Sequence, residues 1–149
     1  MTSEFEMDTR LEADTFPVAQ WLLCDVRLMN DAQYPWLILV PRVAGARELY
    51  DLSEAQRRQL DLESILLSRT LMATFKGDKL NVAALGNVVS QLHIHHVVRF
   101  ESDPSWPAPV WGRLPPQAMS DDLKSERLAK LASILAPDWA ALSSNAVLD

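Results

Sequence analysis

Cysteine, glycine and histidine are scarce in this 149-residue chain, and each scarcity excludes something. One cysteine, Cys24, leaves no internal disulfide, and no charged start followed by an apolar run opens the sequence, so a cytoplasmic location is expected. Four glycines give little material for the glycine-rich loops of P-loop and dinucleotide-binding folds. No apolar run approaches the ~20 residues that cross a bilayer, so no membrane partner is expected. Basic residues are outnumbered 14 to 20, for a net charge of −6, and the general attraction that drives nucleic-acid binding is absent. Phosphate recognition, if there is any, has to be local.

What remains is ordinary globular material, 48% hydrophobic and 23% charged, enough for one core. The expected organisation is an acidic N-terminal arm or short helix over residues 1–15, followed by a single domain over residues 16–149. Within QWLLCDVRLMN, Leu22, Cys24, Val26 and Leu28 alternate with Asp25 and Arg27, the period of a half-buried strand. A second strand, PWLILVPRV, begins at Pro35. It is apolar enough to be central, and a hairpin loop of about four or five residues joins the two.

A long helix follows, with Ser53 as N-cap, Gln56 completing a capping box and Leu52 as the staple residue. It is expected to run to about Lys76, with Leu62, Ile65, Leu66, Met72 and Ala73 as its apolar stripe and Gly77 as its left-handed stop. Two more strands, LNVAAL from Leu80 and QLHIHHVVRF from Gln91, flank the connection Gly86-Asn87-Val88-Val89-Ser90. Residues 102–116 carry prolines at 104, 107, 109, 115 and 116 and read as a loop in which Trp106 and Trp111 lie over apolar surface. A last helix starts near Ser120, carries Leu128, Leu131 and Leu135 on one face, and breaks at Pro137. One further turn around Trp139 completes the chain.

All three histidines fall within four positions, at His93, His95 and His96. On a strand, alternation puts Gln91, His93 and His95 on one face and Leu92, Ile94 and His96 on the other. A lone strand histidine is usually a satisfied structural residue, and His96 is read that way. Two imidazoles side by side carry a desolvation and repulsion cost, and such a pair usually persists because it does chemistry. Two chemistries fit. As metal ligands, His93 and His95 would need further donors from Asp, Glu or Cys24, and no spacing advertises them. As a nucleophile with a polar assistant, one ring would attack phosphorus while a backbone carbonyl holds its other nitrogen, with neighbouring donors stabilising the oxygens. Gln91 and His95 flank His93 and suit that second role.

The run from Gly86 to Val98 resembles the signature of the histidine triad (HIT) superfamily, His-φ-His-φ-His-φ-φ after a short glycine-containing connection. The order of elements resembles it too, over most of residues 16–111. The resemblance implies an α+β fold, an antiparallel sheet of about five strands with a long helix across one face and a C-terminal helix, in a homodimer whose sheets continue into one. It implies His93 as the nucleophile that forms a nucleotidyl intermediate and His95 as the phosphate contact. Gln91 stands where the first histidine usually is, so hydrogen bonding is retained and titration is lost. Asn30, Asn87, Asn81, Ser90, Arg99 and Trp106 are the implied substrate contacts.

The implied function is hydrolysis at the α-phosphate of diadenosine polyphosphates or nucleoside phosphoramidates. No cofactor is required for that route, although Mg²⁺ can serve as the substrate's counterion. The alternatives are a nucleotide-binding module with weak or no catalysis, motivated by Gln91, and a histidine-ligated metalloprotein.

Overall fold

The computed structural model describes residues 4–142. Residues 1–3 and 143–149, the ends of the expected arm and domain, lie outside the described residues. The order is α1 (Thr9–Asp14), β1 (Thr15–Gln20), β2 (Cys24–Met29), β3 (Trp36–Pro41), α2 (Glu54–Phe75), β4 (Lys79–Ala83), β5 (Ile94–Arg99) and α3 (Asp121–Lys130). The five strands form one antiparallel sheet in the order β1-β2-β3-β5-β4. Both arms of the expectation, an α+β class and a sheet of about five strands under a long helix, are present.

Alternation builds two cores from one sheet. Cys24, Val26 and Leu28 of β2, Leu37 and Leu39 of β3, and Ile94 and Val98 of β5 face α2 and meet Leu60, Leu67 and Leu71. On the opposite face Trp36, Ile38 and Val40 of β3 and Val97 of β5 gather with Leu11 and Val110. β3 is therefore buried along its whole length, which is why its sequence is apolar at every step.

Several details differ from expectation for identifiable reasons. The N-terminal segment folds as α1 and an edge strand, β1, anchored by the buried Leu11. Pro17 is tolerated there because β1 pairs only with β2 and breaks register between Pro17 and Ala19. Leu22 precedes the first ladder pair of β2 and is exposed. The buried stripe of α2 is Leu60, Glu63, Leu67 and Leu71, one step round from the expected one, which leaves Ile65 exposed. Glu63 disguises that stripe: its carboxylate accepts the backbone N–H groups of Leu23 and Cys24 and so fastens the helix to the start of β2.

Ser53 and Gln56 form the expected capping box, but the left-handed residue at the far end is Lys76, at φ 55°. Gly77 serves a different need, since a Cβ there would stand 2.3 Å from Val98 Cγ1. Ser120 caps α3, which ends at Lys130, so Leu131 is buried and Leu135 falls off the expected face into solvent. A helical turn does follow from Trp139, and Trp139 packs edge-on against Trp21 at 5.3 Å. No helix among the described residues is long and apolar enough to cross a membrane.

Candidate active site

His93 stands one residue before β5 begins and His95 one residue inside it, and their rings meet edge to face with centroids 4.8 Å apart. The neighbouring strand supplies the restraint on His95. Ile38 of β3 opposes His95, so Trp36, two residues away on the same face, reaches the ring and donates its Nε1–H to His95 Nδ1 at 3.0 Å. An indole can only donate, so Nδ1 carries no proton and the neutral ring keeps its proton on Nε2. Burial, reinforced by the adjacent His93 and His96 rings, pushes the His95 pKa down to about 3. His95 is thus a neutral N–H donor across ordinary pH.

His93 is set the other way round. Its Nδ1 lies 2.7 Å from the backbone carbonyl of Gln91. A carbonyl only accepts, so the ring donates from Nδ1 and, when neutral, holds its lone pair on Nε2. No described residue hydrogen-bonds Nε2 of either His93 or His95. Both rings line a cavity of about 730 Å³, a size that encloses a nucleotide-sized ligand. A nucleophilic nitrogen and a fixed donor therefore sit side by side at one opening.

His96 faces the opposite layer and has nothing left to offer. Its Nδ1 bonds the Ile94 carbonyl at 3.1 Å and its Nε2 receives the Ser64 hydroxyl at 2.8 Å. Burial pushes its pKa down to about 4, against the smaller upward pull of the Ile94 carbonyl.

The other expected residues divide. Asn30 and Asn87 line the cavity with the two histidines. Asn30 Oδ1 accepts from the Met119 amide, which ties the 117–119 segment to the cavity's edge, and Gly86, at φ +76°, makes the turn that presents Asn87. Gln91, expected to aim its side chain at the substrate beside His93, does not line the cavity; it bonds residues 6 and 8 with both ends of its amide. The alternation that would place it in a row with His93 fails because residues 91–93 precede the ladder.

Arg99 is also corrected, since it is 1% exposed and grips Asp103 with Nε at 2.7 Å and Nη2 at 3.0 Å. Burial tends to raise the Asp103 carboxyl's pKa, but the Arg99 bonds and the backbone amides of Phe100 and Ser105 outweigh it and hold it below the usual range. Asn81 accepts from Arg99 Nη1, and the Trp106 ring lies 5.7 Å from the Arg99 guanidinium, so both belong to this buried cluster rather than to the cavity. Ser90 is exposed and outside the lining.

Sequence reasoning missed Trp36 as the residue that sets the His95 tautomer, and it chose Trp106 where the cavity holds Trp111, 5.2 Å from the His95 ring. Trp111 Nε1 is buried without a hydrogen-bond partner among the described residues. The missed signal for Trp36 was register: two β3 residues from the partner of His95. Among the described residues no third His, Cys, Asp or Glu joins His93 and His95 in a metal-holding group, and the Trp36 N–H occupies His95 Nδ1.

Residues 10–102 match the family described as HIT domain. A histidine triad protein from Marinobacter aquaeolei is 50% identical, with a TM-score of 0.87 over 89% of this chain and 97% of that one. One from Bradyrhizobium japonicum is 40% identical, with a TM-score of 0.87 over 90% of this chain and 100% of that one. One from Sinorhizobium meliloti is 39% identical, with a TM-score of 0.84 over 87% of this chain and 96% of that one. A comparison with curated proteins gave no match.

Proposed function

This chain belongs to the HIT domain family, and from that premise we propose that it hydrolyses the α-phosphate linkage of a nucleotide conjugate through a nucleotidyl-histidine intermediate on His93. The observation that carries the reading is the 2.7 Å bond from His93 Nδ1 to the Gln91 carbonyl, which leaves the Nε2 lone pair at the cavity. Attack by Nε2 on the α-phosphorus forms a P–N bond as the bond to the leaving group breaks and its electron pair departs with that group. Water then cleaves the P–N bond, releases the nucleoside monophosphate and returns the ring to its neutral state. His95 Nε2–H supplies a hydrogen bond to a phosphoryl oxygen as charge builds there, without having to titrate. Asn30 and Asn87 are the further substrate contacts. The glutamine at the first motif position does not prevent this, because the group that orients His93 is the backbone carbonyl of residue 91.

The diagnostic assay offers diadenosine tetraphosphate and adenosine 5′-phosphoramidate to the purified protein and follows release of AMP. Release that disappears in His93→Ala supports the proposal. Nucleotide protection against thermal unfolding with no release from either compound favours a binding module instead.

We also infer a homodimer. β4 is an edge strand of the sheet, and it and the following loop carry the exposed Val82, Leu85 and Val88. An uncovered edge with apolar side chains is suited to continuation by a second copy. Sedimentation equilibrium at micromolar concentration checks this; a monomer there rules it out.

A further inference from the structure

The amide of Gln91 makes a two-point clamp on the N-terminal segment. Its Oε1 accepts the backbone N–H of Asp8 at 2.8 Å, and its Nε2 donates to the carbonyl of Glu6 at 2.8 Å. A glutamine side chain suits this task because it offers one acceptor and one donor at its tip. Asp8 is also the N-cap of α1, its carboxylate accepting the amides of Arg10 and Leu11. The clamp therefore fixes the point at which α1 begins, and Leu11, buried in the second core, fixes which way it turns.

That placement puts α1 against the cavity. Arg10, Leu11, Ala13 and Asp14 form part of its lining, together with His93 and His95. Arg10 is the one lysine or arginine among the described residues that line it. Its guanidinium is not committed elsewhere: its side chain is 65% exposed, and its ion pair, with Asp14 on the next turn, is 3.8 Å long. Such a surface pair contributes little and yields readily to a stronger anion. The second carboxylate of the lining, Asp31, is already bonded to the backbone and side chain of Gln33. Arg99, which sequence reasoning expected at the phosphate, is locked on Asp103. In a protein of net charge −6, Arg10 is thus the cationic side chain that this lining offers a polyphosphate.

We propose that Gln91 is a positioning residue that clamps the N-terminal segment so that Arg10 binds the phosphates beyond the α-phosphate, selecting polyphosphate substrates over phosphoramidates. This rests on the nucleotide reading above and deepens it by naming the substrate class. It also gives the departure from the family motif a function: the first motif position holds a wall of the cavity instead of presenting an imidazole to it.

The test is calorimetric titration of the full chain with AMP, ATP and inorganic tripolyphosphate. Arg10→Ala is expected to weaken ATP and tripolyphosphate by about tenfold, the loss of one charge-assisted contact, and to leave AMP within about twofold. Arg10→Lys should recover most of that loss. Gln91→Ala should reproduce the ATP defect, and the Arg10→Ala/Gln91→Ala double variant should add nothing to it, since both remove the same contact. Gln91→Glu, which keeps the shape but sets an acceptor oxygen against the Glu6 carbonyl, is the second variant and should show the ATP defect as well. Hydrogen exchange should show faster amides at residues 8–11 in either Gln91 variant, with the rest of the chain unchanged.

Arg10→Ala that leaves ATP binding intact, or that weakens AMP equally, overturns the proposal. Additive losses in the double variant overturn the role of Gln91. Wild type that binds tripolyphosphate through Arg10 but takes neither nucleotide keeps the anion site and removes the nucleotide reading. Wild type that binds ATP regardless of Arg10 does the reverse, and wild type that binds none of the three removes both.

Discussion

The two faces of β5 carry the same side chain to opposite ends. On the α2 face, His96 has each nitrogen bonded, one to the Ile94 carbonyl and one to the Ser64 hydroxyl, with no exposed surface. On the cavity face, His93 and His95 each have one nitrogen held by a group of fixed polarity and the other left at an opening. Adjacent residues thus differ in chemical availability through what occupies their second nitrogen. An imidazole with both positions filled is structural however close it lies to a reactive one.

The largest effect that sharpens this contrast is expected from His93→Ala. It should lower kcat for AMP release on the order of 10⁴-fold or more while leaving the melting temperature nearly unchanged, measurable by steady-state assay beside a thermal scan. A second test concerns Arg99, on the cavity face by alternation but buried in its ion pair. Arg99→Met should cost about 3–5 kcal/mol in urea unfolding by leaving the Asp103 carboxylate unpaired, with KM of the folded fraction unchanged. A large rise in KM with stability retained would return Arg99 to the substrate.

His95→Ala should reduce kcat about 10²–10³-fold, the cost of one preorganised donor, and the residual activity should not change with pH between 5 and 8 in a way wild type lacks. On the other face, Ser64→Ala leaves His96 Nε2 without its donor and should cost about 1–3 kcal/mol of stability with kcat unaltered. Loss of activity there would erase the distinction between the faces.

The effect of acid is graded. The folded pKa values of His95 and His96, about 3 and about 4, lie below the ordinary 6.5, so between these limits the unfolded chain binds protons that the folded chain refuses. Stability is therefore full above pH 6.5 and falls on acidification by about 1.4 kcal/mol per pH unit for each group. His96→Gln should remove one group's share of that slope, readable from urea midpoints at several pH values.

How far the sequence led depended on the range of the interactions. The capping box at Ser53 and Gln56, the opposite faces of His95 and His96, and the bond from the His93 ring to the Gln91 carbonyl are local, set by spacings of one to three residues. The stripe of α2 escapes periodicity because Glu63, a charged residue, occupies a core position to satisfy amides of Leu23 and Cys24 some 40 residues away. β1 leaves no pattern to read because an edge strand with Pro17 lacks the alternation of its neighbours. The clamp of Gln91 on residues 6 and 8, the Trp36 bond to His95 and the Arg99–Asn81 bond join distant segments, and no pattern in one sequence encodes such pairings.

The most direct measurement of the central claim is intact-protein mass spectrometry after rapid alkaline quenching of a reaction with diadenosine tetraphosphate, followed by peptide mapping. The account predicts an acid-labile adduct of one nucleoside monophosphate on the peptide containing His93, absent in His93→Ala and present in His96→Gln. Turnover by the wild type with the label on another residue, or undiminished turnover in His93→Ala, would contradict it.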